Sequence, residues 1–192
     1  MKHELGTFTF NKLELRAISQ FARTGNDHLA VVHFDSPAGS AVATDGHTLA
    51  VVKNGTTADK PVFSATMVFI KQCLSLLQKK TDEVSISFDG ERISACSSSG
   101  LVVQGIPHAA SFPDYKLFSS SPGHISDGPE VRVGVFGFNA EYLSRMAIVQ
   151  KAAENKCVHQ FLGTAALDPC RFVCDSSARN CEWTAVFMPV RI

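Results

Sequence analysis

Thr7-Phe8-Thr9-Phe10-Asn11, followed by KLELRAISQFAR over residues 12–23, is a short β run that ends in an aromatic, a capping residue and an amphipathic helical pattern. Asn suits the position before a helix because its side-chain oxygen accepts a free backbone N–H of the first turn. Glu14, three residues on, fits a capping box. The arrangement occurs twice more. Pro61-Val62-Phe63-Ser64 leads into ATMVFIKQCLSLLQKK (65–80), with Ser64 as the expected cap. Val135-Phe136-Gly137-Phe138-Asn139 leads into AEYLSRMAIVQKAA (140–153).

Each helix is followed by β-patterned segments, at 28–35, 40–44 and 47–53, then 83–88, 92–97 and 101–106, then 157–164, 170–175 and 181–190. Turn-forming residues separate them, among them Ser36-Pro37-Ala38-Gly39, Asp89-Gly90 and the stretches 97–100 and 176–180. The chain therefore reads as an α+β protein of three β-α-β-β-β units with antiparallel sheets. The expected caps are unevenly spaced, 53 residues from Asn11 to Ser64 and 75 from Ser64 to Asn139. The excess falls in FSSSPGHISDGP (118–129), rich in Ser, Gly and Pro, which reads as a linker. The expected organisation is a two-unit domain over 1–117, a linker over 118–130 and a half-domain over 131–192 that stands apart.

The 192 residues are 45% hydrophobic and 19% charged, a balance that supports a buried core. No apolar run approaches the ~18 residues of a membrane helix, and MKHELGTFTF lacks the apolar stretch of a signal peptide. The expectation is a cytoplasmic protein with no membrane partner. Formal net charge is zero, which excludes a whole-chain argument for binding a polyanion. The distribution is uneven. The stretches 11–23, 65–80 and 139–156 hold nine basic and three acidic residues, against nine and fifteen elsewhere. The basic residues expected to face outward are Lys12, Arg16, Arg23, Lys71, Lys79, Lys80, Arg145 and Lys151. The expected apolar faces are Leu13, Ala17, Ile18 and Phe21, then Met67, Ile70, Leu74 and Leu77, then Tyr142, Leu143, Met146 and Val149. Such helices can hold phosphates, but solvated helix faces have the same composition, so charge alone does not decide.

Other residues invite chemical readings that their spacing supports weakly. Asp45 and His47 form an Asp-x-His, but Asp45-Gly46 also makes a tight turn between strands, and no catalytic residue is assigned. Cys170, Cys174 and Cys181, with His159, have no standard zinc spacing, and Cys174 and Cys181 flank a hairpin turn where they can face each other. No metal or cofactor is assigned. Trp183 reads as sheet packing rather than a platform for bases. No Walker-type glycine loop occurs.

Four motifs resemble one family. Ala43-Thr44-Asp45-Gly46-His47-Thr48-Leu49-Ala50 looks like the ATDGHRLA signature of the bacterial DNA sliding clamp, the beta subunit of the replicative polymerase. Phe112-Pro113-Asp114-Tyr115 resembles its FPDY segment. Phe138-Asn139-Ala140-Glu141-Tyr142-Leu143 is similar to its helix start GFN-x-x-YL, and Val186-Phe187-Met188-Pro189-Val190-Arg191-Ile192 to its terminal VVMPMRL. The order matches, and the resemblance covers nearly the whole chain.

The resemblance implies a DNA-clamp fold, in which helices on one face of antiparallel sheets line a ring and contact duplex DNA without reading its sequence, so that Lys12, Arg16, Arg23, Lys71, Lys79, Lys80, Arg145 and Lys151 are the expected DNA-facing residues. It implies a non-enzymatic processivity factor and a hydrophobic pocket for clamp-binding peptides of polymerase, loader or repair proteins. By position that pocket is Leu29, Thr44, Gly46, His47, Leu49, Pro113, Phe118, Val186, Met188, Pro189 and Val190, closed by Arg191 and Ile192. Thr48 stands where the family usually has Arg, and Leu117 where a second basic residue is common. Family rings contain twelve units and this chain has three, so a homo-oligomer, specifically a tetramer, is expected. The other reading is a clamp-like module that captures such peptides, or host clamp subunits, without encircling DNA.

Overall fold

A computed structural model describes residues 6–25, 28–55, 61–116, 139–154, 159–161, 169–176 and 181–188. The first unit is β1 (Thr7–Asn11), α1 (Lys12–Ser19), β2 (Val31–Asp35), β3 (Ser40–Thr44) and β4 (Thr48–Lys53). The second is β5 (Phe63–Thr66), α2 (Met67–Leu76), β6 (Glu83–Phe88), β7 (Ile93–Ser97) and β8 (Val102–Gly105). The third holds α3 (Ala140–Ala152), β9 (His159–Phe161), β10 (Cys170–Ser176) and β11 (Cys181–Phe187). Its leading run, 135–138, and the segment 118–130 lie outside the described residues.

The expected capping box is present. Glu14 N donates to Asn11 Oδ1 at 2.9 Å, and Asn11 N donates to Glu14 Oε2 at 2.8 Å. Asn139 caps α3 through its bond from Glu141 N. The second cap is Thr66, not Ser64. β5 stays paired with β2 as far as Val31↔Thr66, so the backbone remains extended two residues longer than the pattern suggested. Ser64 Oγ instead lies 3.0 Å from His33 Nδ1. Helix α2 also ends earlier, at Leu76, which places Lys79 and Lys80 beyond it. There Gln78 N and Lys79 N both donate to the Asp82 carboxylate.

Units one and two exchange their first strands. β1 heads the sheet β1-β6-β7-β8, while β5 heads the sheet that begins β5-β2-β3-β4. The exchange ties the two units together. The second sheet then continues through β11, β10 and β9, because β11 lies antiparallel on β4 from Thr48↔Phe187 to Lys53↔Glu182. The strands of the third unit therefore join the first unit directly rather than standing off from it. Every ladder among the described residues is antiparallel.

Period-two alternation sends one side of each strand toward the helices. Phe8, Phe10, Phe34 and Phe63 meet there, with Phe34 and Phe63 stacked at 4.7 Å. Burial of each such ring contributes roughly 2 kcal/mol. Helix α1 buries Leu15, Ala17 and Ile18, with Leu13 only half-buried. Helix α2 buries Phe69, Ile70 and Cys73, and Met67 and Leu74 are half-buried. Burial pushes the Cys73 thiol up to about 12, which keeps it protonated and inert. Helix α3 buries Met146, Val149 and Ala152, and leaves Leu143 exposed.

Candidate functional site

The same alternation delivers a second apolar set to the opposite face of the long sheet. Val42, Leu49, Val51 and Val186 cluster there with Tyr115, separate from the main core, and Phe112 packs against them. Val186 is paired with Leu49 across the β4–β11 seam, and Met188 N donates to His47 O at 3.0 Å, extending the ladder. A cavity of about 200 Å³ opens over this seam. Leu29, Thr44, Gly46, His47 and Leu49 line it from the first unit, Pro113 from the FPDY segment, and Val186 and Met188 from the third unit. These eight belong to the pocket that the resemblance implies. Phe118, Pro189, Val190, Arg191 and Ile192, together with Leu117, lie outside the described residues. Thr48, Phe112, Asp114 and Tyr115 also line the cavity. Their signal was in the quoted motifs, but which members of a motif face a cavity is decided by strand direction.

The FPDY segment is fastened by Asp35. Tyr115 Oη donates to Asp35 Oδ2 at 2.7 Å, Lys116 Nζ lies 3.0 Å from the same oxygen, and Ala38 N donates to Oδ1. Burial alone would raise the Asp35 carboxyl, but the bonds from Tyr115, Lys116 and Ala38 outweigh it and hold it below its ordinary range. The same burial and the Asp35 charge push the Tyr115 phenol up. Phe112 stacks on His33 at 4.6 Å with the rings nearly parallel. Burial lowers the pKa of His33, favouring the neutral ring in that stack.

The turn between β3 and β4 forms the other wall. Gly46 takes φ +92°, a left-handed conformation that a side chain would strain. Thr44 Oγ1 donates to Thr48 O at 2.6 Å, and Gly46 N donates to Thr44 Oγ1. Asp45 Oδ1 accepts from His47 N, Thr48 N and Thr48 Oγ1. Its other oxygen accepts from Arg145 Nη1 at 2.7 Å, and Arg145 Nη1 also donates to Thr48 Oγ1 at 2.6 Å. Burial works against the charged form of Asp45, but these bonds prevail and hold its pKa below the ordinary value. The carboxylate organises the turn.

On the helix side lies an open groove of about 1200 Å³ between α1, α2 and α3. Arg16, Arg23, Lys71 and Arg145 line it, with His108 and His47. Two expectations about outward charge need correction. Arg145 is 14% exposed at its side chain, is paired with Asp45 and lies over the Phe21 and Tyr142 rings, so its charge is already compensated. Lys12 Nζ donates to Leu77 O at 2.6 Å, closing the end of α2. Lys79, Lys80 and Lys151 are exposed but do not line the groove. Groove and cavity lie on opposite faces of the sheet, and His47 reaches both.

Cys174 faces Trp183, and Cys181 faces Ser176, so the two cysteines do not oppose each other across the hairpin. Among the described residues no group of three His, Cys, Asp or Glu side chains is placed to hold a metal. Trp183 is fully buried within the sheet packing. No helix among the described residues is long and apolar enough to cross a membrane.

No family model and no curated protein matches the sequence. Solved structures share the fold. The DNA polymerase sliding clamp of Caulobacter crescentus is 16% identical, with a TM-score of 0.67 over 100% of this chain and 67% of that one. That of Pseudomonas aeruginosa, solved with a ligand, is 16% identical, with a TM-score of 0.66 over 97% of this chain and 66% of that one. That of Bacillus subtilis is 12% identical, with a TM-score of 0.66 over 99% of this chain and 65% of that one. The fold is thus the sliding-clamp fold, and this chain spans about two thirds of the length of those proteins.

Proposed function

We propose that this chain acts as a non-enzymatic clamp on duplex DNA that also holds partner proteins by short peptide segments. The observation that carries the reading is the placement of two different surfaces on opposite faces of one sheet. The helix side presents Arg16, Arg23 and Lys71 along an open groove, suited to phosphates and offering no fixed pattern for bases. The outer side presents a small apolar cavity with Leu49, Val186 and Met188 at its floor, suited to one or two apolar anchors of a peptide. With three units per chain, a ring of the kind expected from the resemblance takes four chains.

The compensated charge of Arg145 and the engagement of Lys12 favour a second reading. Fewer free cations on the helices means weaker phosphate contact. A module that captures clamp-binding peptides without encircling DNA needs only the outer cavity.

Retention on DNA circles separates the two. The protein is mixed with nicked circular plasmid, with the same plasmid linearised, and with a fluorescent peptide carrying a Gln and a Leu-Phe pair. A clamp stays with the circle through gel filtration, is lost from the linear form, and binds the peptide. Peptide binding with no difference between circle and line overturns encirclement and leaves the capture module. Absence of both activities removes both readings.

A further inference from the structure

We infer that the outer cavity selects peptide segments whose apolar anchor has a Lys or Arg beside it, and that Asp114 makes the selection. The inference rests on the peptide-binding part of the proposed function and specifies the partner. It does not depend on DNA binding.

Among the described residues that line the cavity, Asp114 is the one Asp, Glu, Lys or Arg side chain. It is exposed, and its Oδ1 accepts the backbone N–H of Lys116 at 3.1 Å. Among the described residues no cation is paired with it. The segment that carries it is fastened on both sides, by Phe112 stacked on His33 and by Tyr115 bonded to Asp35. The carboxylate therefore projects from a backbone with a fixed place at the cavity.

The neighbouring cations are matched by other carboxylates. Lys116 Nζ lies 3.0 Å from Asp35 Oδ2, and Arg145 Nη1 lies 2.7 Å from Asp45 Oδ2. Each of these pairs sums to zero, which leaves the Asp114 charge over. Thr48, where the resembling family usually has Arg, lines the cavity without bringing a cation to it. Its hydroxyl donates to Asp45 and accepts from Arg145. Arg16, Arg23 and Lys71 line the groove on the opposite face of the sheet.

Leu49, Val186 and Met188 can take one apolar anchor of a peptide, and Asp114 then meets a residue next to that anchor. Lys and Arg suit this place, because their aliphatic stems lie along apolar surface while the charge reaches a carboxylate. An Asp or Glu in the peptide would meet a like charge, which costs binding.

The test uses the whole chain and three fluorescent peptides. Each carries a Gln and a Leu-Phe pair, and they differ by Lys, Ser or Asp just before the pair. Anisotropy at low salt is expected to rank them Lys, Ser, Asp, with roughly a 3- to 10-fold span between the ends. The span is expected to narrow at high salt. Asp114→Asn keeps an oxygen for the Lys116 N–H and removes the charge, so the span is expected to collapse toward one. Asp114→Lys is expected to reverse the ranking. Thermal midpoints check that both variants are folded. Equal affinities, tighter binding of the Asp peptide, or a span that survives Asp114→Asn each overturns the inference and leaves peptide capture standing. If none of the three peptides binds, the peptide part of the proposed function falls and takes this inference with it.

Discussion

Arg145 Nη1 lies 2.7 Å from Asp45 Oδ2, joining the third unit's helix to the β3–β4 turn of the first unit across 100 residues of sequence. Both side chains are largely buried, with exposures of 14% and 13%. Removing one partner of such a pair leaves the other desolvated and uncompensated. Arg145→Met is expected to cost about 3 kcal/mol, read as a lower urea midpoint. Since the turn walls the outer cavity, peptide affinity is expected to fall with it. Unchanged stability would mean that the pair is open to water in solution.

The same pair gives a pH dependence with a defined sign. Asp45 is held below its ordinary carboxylate value in the folded chain. Its contribution is therefore complete above the unfolded value of 3.8 and is lost as pH falls through the lower folded value. Asp35 behaves in the same direction, through Tyr115 and Lys116. Thermal midpoints measured from pH 7 down to pH 3 are expected to drop on the acid side. Asp45→Asn is expected to start lower at pH 7 and to fall less steeply. An identical acid slope in the variant would assign the loss to other carboxylates.

The Tyr115–Asp35 bond is 2.7 Å long and buried. Tyr115→Phe keeps the ring and removes the hydroxyl, leaving Asp35 with one donor fewer. The expected cost is about 1–2 kcal/mol. Because Phe112 and Pro113 hang from this attachment, the variant is also expected to bind peptide several-fold more weakly, measured by fluorescence anisotropy at a temperature where it remains folded. Loss of stability with unchanged affinity would separate the anchor from the cavity.

Much of this was legible in the residues. The repeated β-run, cap and helix gave three units, because an N-cap and a hydrophobic period are local signals. Seven of the eight expected pocket residues that line the cavity stand in the quoted motifs, Leu29 lying outside them, and they converge because the β4–β11 register sets Leu49 against Val186. The exchange of β1 and β5 between sheets was not legible, since alternation is the same whichever sheet a strand enters. Nor was the Thr66 cap, because Ser64 and Thr66 are equally good cap residues and only the β2–β5 ladder chooses between them. The apolar stripe of α2 shifted toward Phe69 and Cys73 for a related reason. A helix hydrophobic on most sides is oriented by its neighbours. In the sequence Arg145 reads as an outward charge, because its partner sits 100 residues away, beyond any local pattern.

On the helix side, Arg16 and Lys71 are exposed and line the groove from α1 and α2. Arg16→Glu with Lys71→Glu is expected to leave the fold intact and to weaken retention on circular DNA at physiological salt. If each contacts one phosphate, the logarithmic salt dependence becomes shallower by about 2. Peptide affinity is expected to stay unchanged, because the cavity is on the other face of the sheet. Retention that is unaffected even at low salt would place the DNA elsewhere.

Thr48 occupies the position where the resembling family usually has Arg, and its surroundings explain why Arg does not fit here. Thr48 is 2% exposed, donates to Asp45 and accepts from Arg145. The guanidinium beside Asp45 is thus already supplied from α3. Thr48→Arg adds bulk at a buried position, removes the hydroxyl and sets a second cation against Arg145, so it is expected to destabilise the chain by at least about 2 kcal/mol. If charge crowding is the dominant cause, adding Arg145→Ser to Thr48→Arg relieves it, and the double variant is more stable than the sum of the two single changes predicts. A strictly additive cycle, measured by urea unfolding, would show that the two positions do not compete for Asp45.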